Sequence, residues 1–164
     1  MITKRNNIFE TNSSSVHAIV VSKTDKIDID SLGTISIPSN PNAIYGWEVD
    51  KITSVSDKLS YLIAAVTGLV NDDTKIDPLK TRLEGLLCEL GVEAVEYSGV
   101  IDHCRGTREF VNYVLKDLDT FKRYLFSPNS YIVTGNDNGG GEEVYKTLEE
   151  NSNSNDVIVF RKGN

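Results

Sequence analysis

Apolar residues recur along this chain at two periods, alternate positions in some stretches and every third or fourth in others, and each period predicts a different element. Ile19, Val20 and Val21 place a β-strand over His17 to Ser22, since β-branched side chains favour extended backbone. Lys23 to Leu32 is polar with Ile27 and Ile29, which fits a short edge strand or a loop. Thr34 to Pro38 alternates Ile35 and Ile37 and reads as a strand ended by proline. Ser39 to Ser56 reads as a loop punctuated by Pro41 and Gly46.

The pattern then becomes helical. Leu59, Leu62, Ile63, Val66, Leu69 and Val70 share one face of a helix over Asp57 to Val70, with Ser56 as its expected N-cap. Asn71-Asp72-Asp73 breaks it. A second helix has Asp77 as cap, Pro78 at the first position, a stripe of Leu79, Leu83, Leu86, Leu87 and Leu90, and Gly91 as its stop. These two should pair as a hairpin against a sheet. Cys88 falls within the stripe's stretch and reads as core filler. Val92 to Val100 is a strand candidate. Thr107 to Leu125 carries a third helical stripe of Phe110, Val114, Leu118, Phe121 and Leu125, broken and capped near Asp119 or Thr120. Ser130 to Thr134 is a strand, Glu142 to Glu150 a short amphipathic helix, Asn151 to Asn155 a polar linker and Val157 to Phe160 a terminal strand. Together these predict one globular domain over residues 1–164. The fold class is α+β, a single mixed β-sheet with three to four helices mainly on one face.

Composition narrows the function classes. At 164 residues, 39 % hydrophobic and 25 % charged, the chain can bury a core. Its net charge of −7 speaks against general binding to nucleic-acid backbone, which needs clustered cations. An acidic surface can instead meet a basic partner protein. The two cysteines, Cys88 and Cys104, form no CxxC pair. With the two histidines they give no zinc spacing, so neither metal nor cofactor is expected. No apolar run reaches membrane-spanning length and MITKRNN lacks a signal peptide's apolar core, so the expected location is the cytoplasm, without membrane contact.

Three polar stretches are candidate chemistry. The first is Thr11-Asn12-Ser13-Ser14-Ser15 with His17 two residues on. A serine turn offers hydroxyls and backbone N–H groups together, which suits an anion or phosphate, and a histidine titrates near neutral pH. The ordinary alternative is a hydrogen-bonded turn with His17 at a strand end. The second is Asp102-His103-Cys104-Arg105. If it meets the serine turn, His17 and His103 can serve as base and acid in phosphoester cleavage, with Arg105 or the serines holding phosphate; the ordinary alternative is a strand-end His103 bonded to Asp102. A Ser–His–Asp set is also writable, although no GxSxG elbow is present. The third is Gly135-Asn136-Asp137-Asn138-Gly139-Gly140-Gly141. It fits neither an EF-hand register nor a Walker loop, and a solvated turn explains it as well. Tyr45-Gly46-Trp47 adds an aromatic pair able to stack a flat ligand, or simply to pack a loop.

The run Arg5-Asn6-Asn7-Ile8-Phe9-Glu10-Thr11-Asn12-Ser13-Ser14-Ser15-Val16-His17 resembles a run, VFETNSSSSHS, in small proteins of bacteriophages and prophage-carrying bacteria. Ile101-Asp102-His103 and Gly135-Asn136-Asp137-Asn138 are similar to further pieces of that group, so the likeness spans most of the chain. Val16 and Ala18 stand where the group has small polar residues. The resemblance implies a mobile-element protein of the bacterial cytoplasm and no particular activity. Counter-defence or host takeover is the expectation, by binding a host protein or sequestering a nucleotide. A nucleotide- or phosphoester-processing enzyme and a structural accessory protein are the alternatives, and a homo-oligomer is compatible with each.

Overall fold

A computed structural model describes residues 15–29, 44–46, 48–70, 77–92, 99–101, 104–137 and 139–163. Its centre is a four-stranded sheet. β1 (Ser15–Ser22) lies between β5 (Tyr131–Asn136) and β6 (Val157–Lys162), and β3 (Asp50–Ile52) extends the sheet beyond β5, in the order β3-β5-β1-β6. Every neighbouring pair is antiparallel. A separate pair joins β2 (Ile44–Tyr45) to β4 (Val100–Ile101) in parallel. The fold is therefore α+β, with an antiparallel rather than mixed main sheet.

β1 is buried along all eight residues, because both of its faces are covered. Ile19 and Val21 face the larger core with Ile52 and Ile132. Val16 and Ala18 face the other way, onto Val133 and Val144. Val144 belongs to α5 (Glu142–Asn151), which packs on β1, β5 and β6. The larger core is roofed by α1 (Val55–Leu69), α3 (Arg108–Val114) and α4 (Leu118–Phe126), with α2 (Pro78–Glu89) packed outside α1 and α4. Five α-helices are thus described, four on one side of the sheet.

α1 is buried from Lys58 through Val66 without a break, as expected of a helix enclosed on nearly all sides. Each fully buried Leu, Ile or Val contributes about 1.5–3 kcal/mol. Its cap is Ser54, whose hydroxyl accepts from the Asp57 N–H at 3.0 Å. The helix therefore starts two residues ahead of the expected position, and Ser56 lies within it. α2 matches its sequence signals closely. Asp77 accepts from the Leu79 N–H at 2.8 Å, Pro78 opens the helix, and Leu83, Leu86, Leu87 and Leu90 are buried. Cys88 is exposed and free rather than core filler, since it follows Leu87 onto the outer side of the helix.

The long third pattern is cut in two. A 3₁₀ turn (Cys104–Thr107) leads into α3, and the chain breaks at Leu115–Asp117. Asp117, rather than Asp119 or Thr120, caps α4 by accepting from the Thr120 N–H at 2.7 Å. The stretch expected to be one loop, 39–56, contains β2, β3 and the start of α1. The strand expected at 34–38 lies outside the described residues, as do positions 93–98 of the strand expected over Val92 to Val100, whose last residue opens β4. Lys23 to 29 forms neither strand nor helix.

Candidate functional site

Strand register builds a polar row into the face of the sheet covered by α1, α3 and α4. Asp50 pairs with Thr134, Thr134 with His17, and His17 with Lys162. Two residue pairs further along, Ser15 faces Asn136. Because side chains alternate along a strand, Ser15 and His17 share the face of Ile19 and Val21. The polar row thus continues the apolar core towards the end of the sheet where β1 begins.

Buried polar groups must find partners or cost stability. His17 has no exposed surface. Its Nδ1 shares a 2.6 Å hydrogen bond with the Tyr61 hydroxyl, brought down by α1. Tyr61 in turn meets Tyr45 edge-on, with ring centroids 5.2 Å apart. Above the imidazole lies Gly46, at φ +127°, so close that a Cβ there would stand 2.4 Å from Ser15 Cβ and 3.1 Å from His17 Nε2. Only glycine permits both that conformation and that approach. Nε2 is buried without a hydrogen-bond partner among the described residues.

Lys162 is also buried. Its Nζ donates to the Ser15 carbonyl at 3.0 Å and to the Ser15 hydroxyl. Burial, with repulsion from the Lys162 ammonium, pulls the His17 pKa down from 6.5 to about 3. The imidazole is uncharged at neutral pH. Burial pushes the Tyr61 hydroxyl well above its ordinary value and, with Asp57 and Asp50 nearby, takes Tyr45 up to about 12.

These facts limit the chemistry. A general acid–base group works best with a pKa near the operating pH, and His17 lies far below it. A lysine beside a serine hydroxyl is one arrangement that activates a nucleophile. Here, however, Ser15 is 2 % and Lys162 1 % exposed, and Gly46 is packed against Ser15. The cluster fastens the start of β1 to β6 and α1.

Of the residues singled out by sequence, Ser15, His17 and Asn136 come together. Ser15 is a buried strand residue rather than part of a presented turn. Asp137 follows β5 and is exposed. Arg105 lies in the 3₁₀ turn Cys104–Thr107, whose Gly106 packs against the Lys162 backbone, a Cβ there being 3.3 Å from Lys162 Cα. Thr11, Asn12, Ser13, Ser14, Trp47, Asp102, His103 and Asn138 lie outside the described residues. Among the described residues no group of three His, Cys, Asp or Glu side chains is placed to hold a metal. None of the described helices is long and apolar enough to cross a membrane.

Sequence reasoning missed Tyr61, Thr134 and Lys162, and read Gly46 as loop punctuation rather than as the cover over Ser15 and His17. Lys162 carried a signal, since Ile158, Phe160 and Lys162 share one strand face once the terminal strand is extended by two residues. Tyr61 stood inside an apolar helical run as its one hydroxyl-bearing aromatic.

The fold and the buried row define an α+β protein with a closed polar cluster at one end of its sheet. Comparison with known proteins finds no matching family model, curated protein or solved structure.

Proposed function

We propose that this is an accessory protein of a bacteriophage or prophage that acts in the bacterial cytoplasm by binding a host protein rather than by turnover. The carrying observation is the state of His17: wholly buried, tied to Tyr61 and uncharged at neutral pH. A phosphoester enzyme built on that imidazole lacks its working base. A free cation strengthens a grip on phosphate, and Lys162, which reaches Ser15, is instead turned inward onto its carbonyl and hydroxyl. Provenance rests on the FETNSSS-x-H resemblance, and counter-defence or host takeover is the role such a binder serves.

The test pairs wild type with His17→Gln against a panel of nucleoside triphosphates, cyclic nucleotides and phosphodiesters. Neither protein is expected to turn over or retain any of them. Turnover by wild type that disappears in a folded His17→Gln variant contradicts the proposal and restores the enzyme.

A further inference from the structure

The edge of the sheet at β6 carries chemistry that the polar row does not use. β6 pairs with β1 on one side and with no strand on the other among the described residues. The register shows which of its backbone groups face outward. The Lys23 N–H donates to the Asp156 carbonyl at 2.8 Å, so in the antiparallel ladder that pair is hydrogen-bonded and alternate pairs follow suit. Val21–Ile158, Ile19–Phe160 and His17–Lys162 are then the bonded pairs. Consistently, the Ser22 N–H points to the other side, where it donates to the Ser130 hydroxyl at 2.9 Å. Val157, Val159 and Arg161 therefore direct their N–H and C=O groups away from the sheet.

The same three residues border a groove of about 590 Å³ between β6 and the end of α5, shared with Lys23, Leu148 and Ser152. Two cations line it, Lys23 and Arg161, and no carboxylate does among the described residues. That local balance is opposite to the chain's net charge of −7. Charges are screened over about 8 Å at physiological ionic strength, so a ligand in the groove meets the two cations first. On the opposite sheet face the neighbouring side chains are apolar, Ile158 and Phe160, both half-buried.

We infer that β6 is a docking edge for an extended segment of a partner protein in which acidic and apolar residues alternate. Added as a fifth strand, such a segment bonds the outward groups of Val157, Val159 and Arg161. Its acidic side chains enter the groove beside Lys23 and Arg161, and its apolar ones lie next to Ile158 and Phe160. This is strand addition, in which the backbone supplies affinity and alternate pockets supply specificity. The inference rests on the binding reading above and names the partner's chemistry.

The probe is a capped peptide of alternating Glu and Val, with a Lys–Val peptide as control, followed by amide NMR and hydrogen exchange on the full chain. The Glu–Val peptide is expected to bind, more weakly as salt rises, and to slow exchange at Val157, Val159 and Arg161. Val159→Pro removes an outward N–H and leaves the β1 ladder intact. It should weaken binding by at least about tenfold, as should Arg161→Glu, which also serves if the proline variant does not fold. Equal binding by a folded Val159→Pro and by Arg161→Glu overturns the inference. So does a free protein in which those three amides are already as protected as Ile158 and Phe160. If the peptide fails while a host protein is still held by the intact chain, the docking edge is wrong and the binding reading stands. If the peptide binds but nucleotides are turned over, the reverse holds.

Discussion

His17 shows how burial reassigns a residue that looks chemical. The imidazole stays neutral down to about pH 3 when folded, against 6.5 for the unfolded chain. Between those values the unfolded state binds a proton that the folded state refuses, so stability is lost as pH falls through that window. The expected slope reaches about 1.4 kcal/mol per pH unit. Urea unfolding of wild type and His17→Gln across this range checks it: the variant should lack that slope, and parallel curves would mean that His17 titrates normally. Gly46→Ala forces a Cβ into Ser15 at a backbone angle that favours glycine, and should cost about 1–3 kcal/mol or more in the same assay. Part of this was legible in advance. His17 shares strand parity with Ile19 and Val21, which marks an inward position. Its partners were not legible, because Tyr61 and Lys162 are 44 and 145 residues away and meet it only through the sheet register and α1.

Among the elements, α1 carries the heaviest demand. It places Lys58 in the interior, where Nζ donates to the Ser127 carbonyl at 3.2 Å and the Ser130 carbonyl at 3.0 Å. Tyr124 returns a hydroxyl to the Lys58 carbonyl at 2.6 Å. The lysine thus closes the C-terminal end of α4 and steers the chain into β5. Lys58→Met leaves two buried carbonyls without their donor and should cost about 1–3 kcal/mol at neutral pH, read by denaturant unfolding. Burial lowers the Lys58 pKa from 10.5 to about 8. Above pH 8 the unfolded chain holds a proton that the folded one has released, so wild type should gain stability as pH rises from about 8 towards 10.5 and Lys58→Met should not. An unchanged gap between the two would contradict the buried position. Local signals located α2 to within a residue because cap, proline, stripe and glycine all agreed. They missed β2 and β3, strands of two and three residues, because so few positions show no period. The break between α3 and α4 was misplaced because its signal is the capping bond of Asp117, and Asp119 and Thr120 offered equally good cap chemistry.

On the scale of the molecule, one antiparallel sheet separates two cores, and its polar row is closed by Gly46 and the helices. A sheet so enclosed offers little of its interior to a substrate. Among the described residues it offers outward an edge strand and a groove lined by Lys23 and Arg161, on which the proposed binding role rests. The α+β class was legible from the mixture of periods. The sheet's order was not, because it depends on pairings between strands more than a hundred residues apart in the chain. Native mass spectrometry of the full chain isolated from bacterial cells producing it decides between binding and turnover. Binding predicts a host protein held at fixed stoichiometry and no retained nucleotide. A bare chain, or one carrying a nucleotide that it processes, would contradict it.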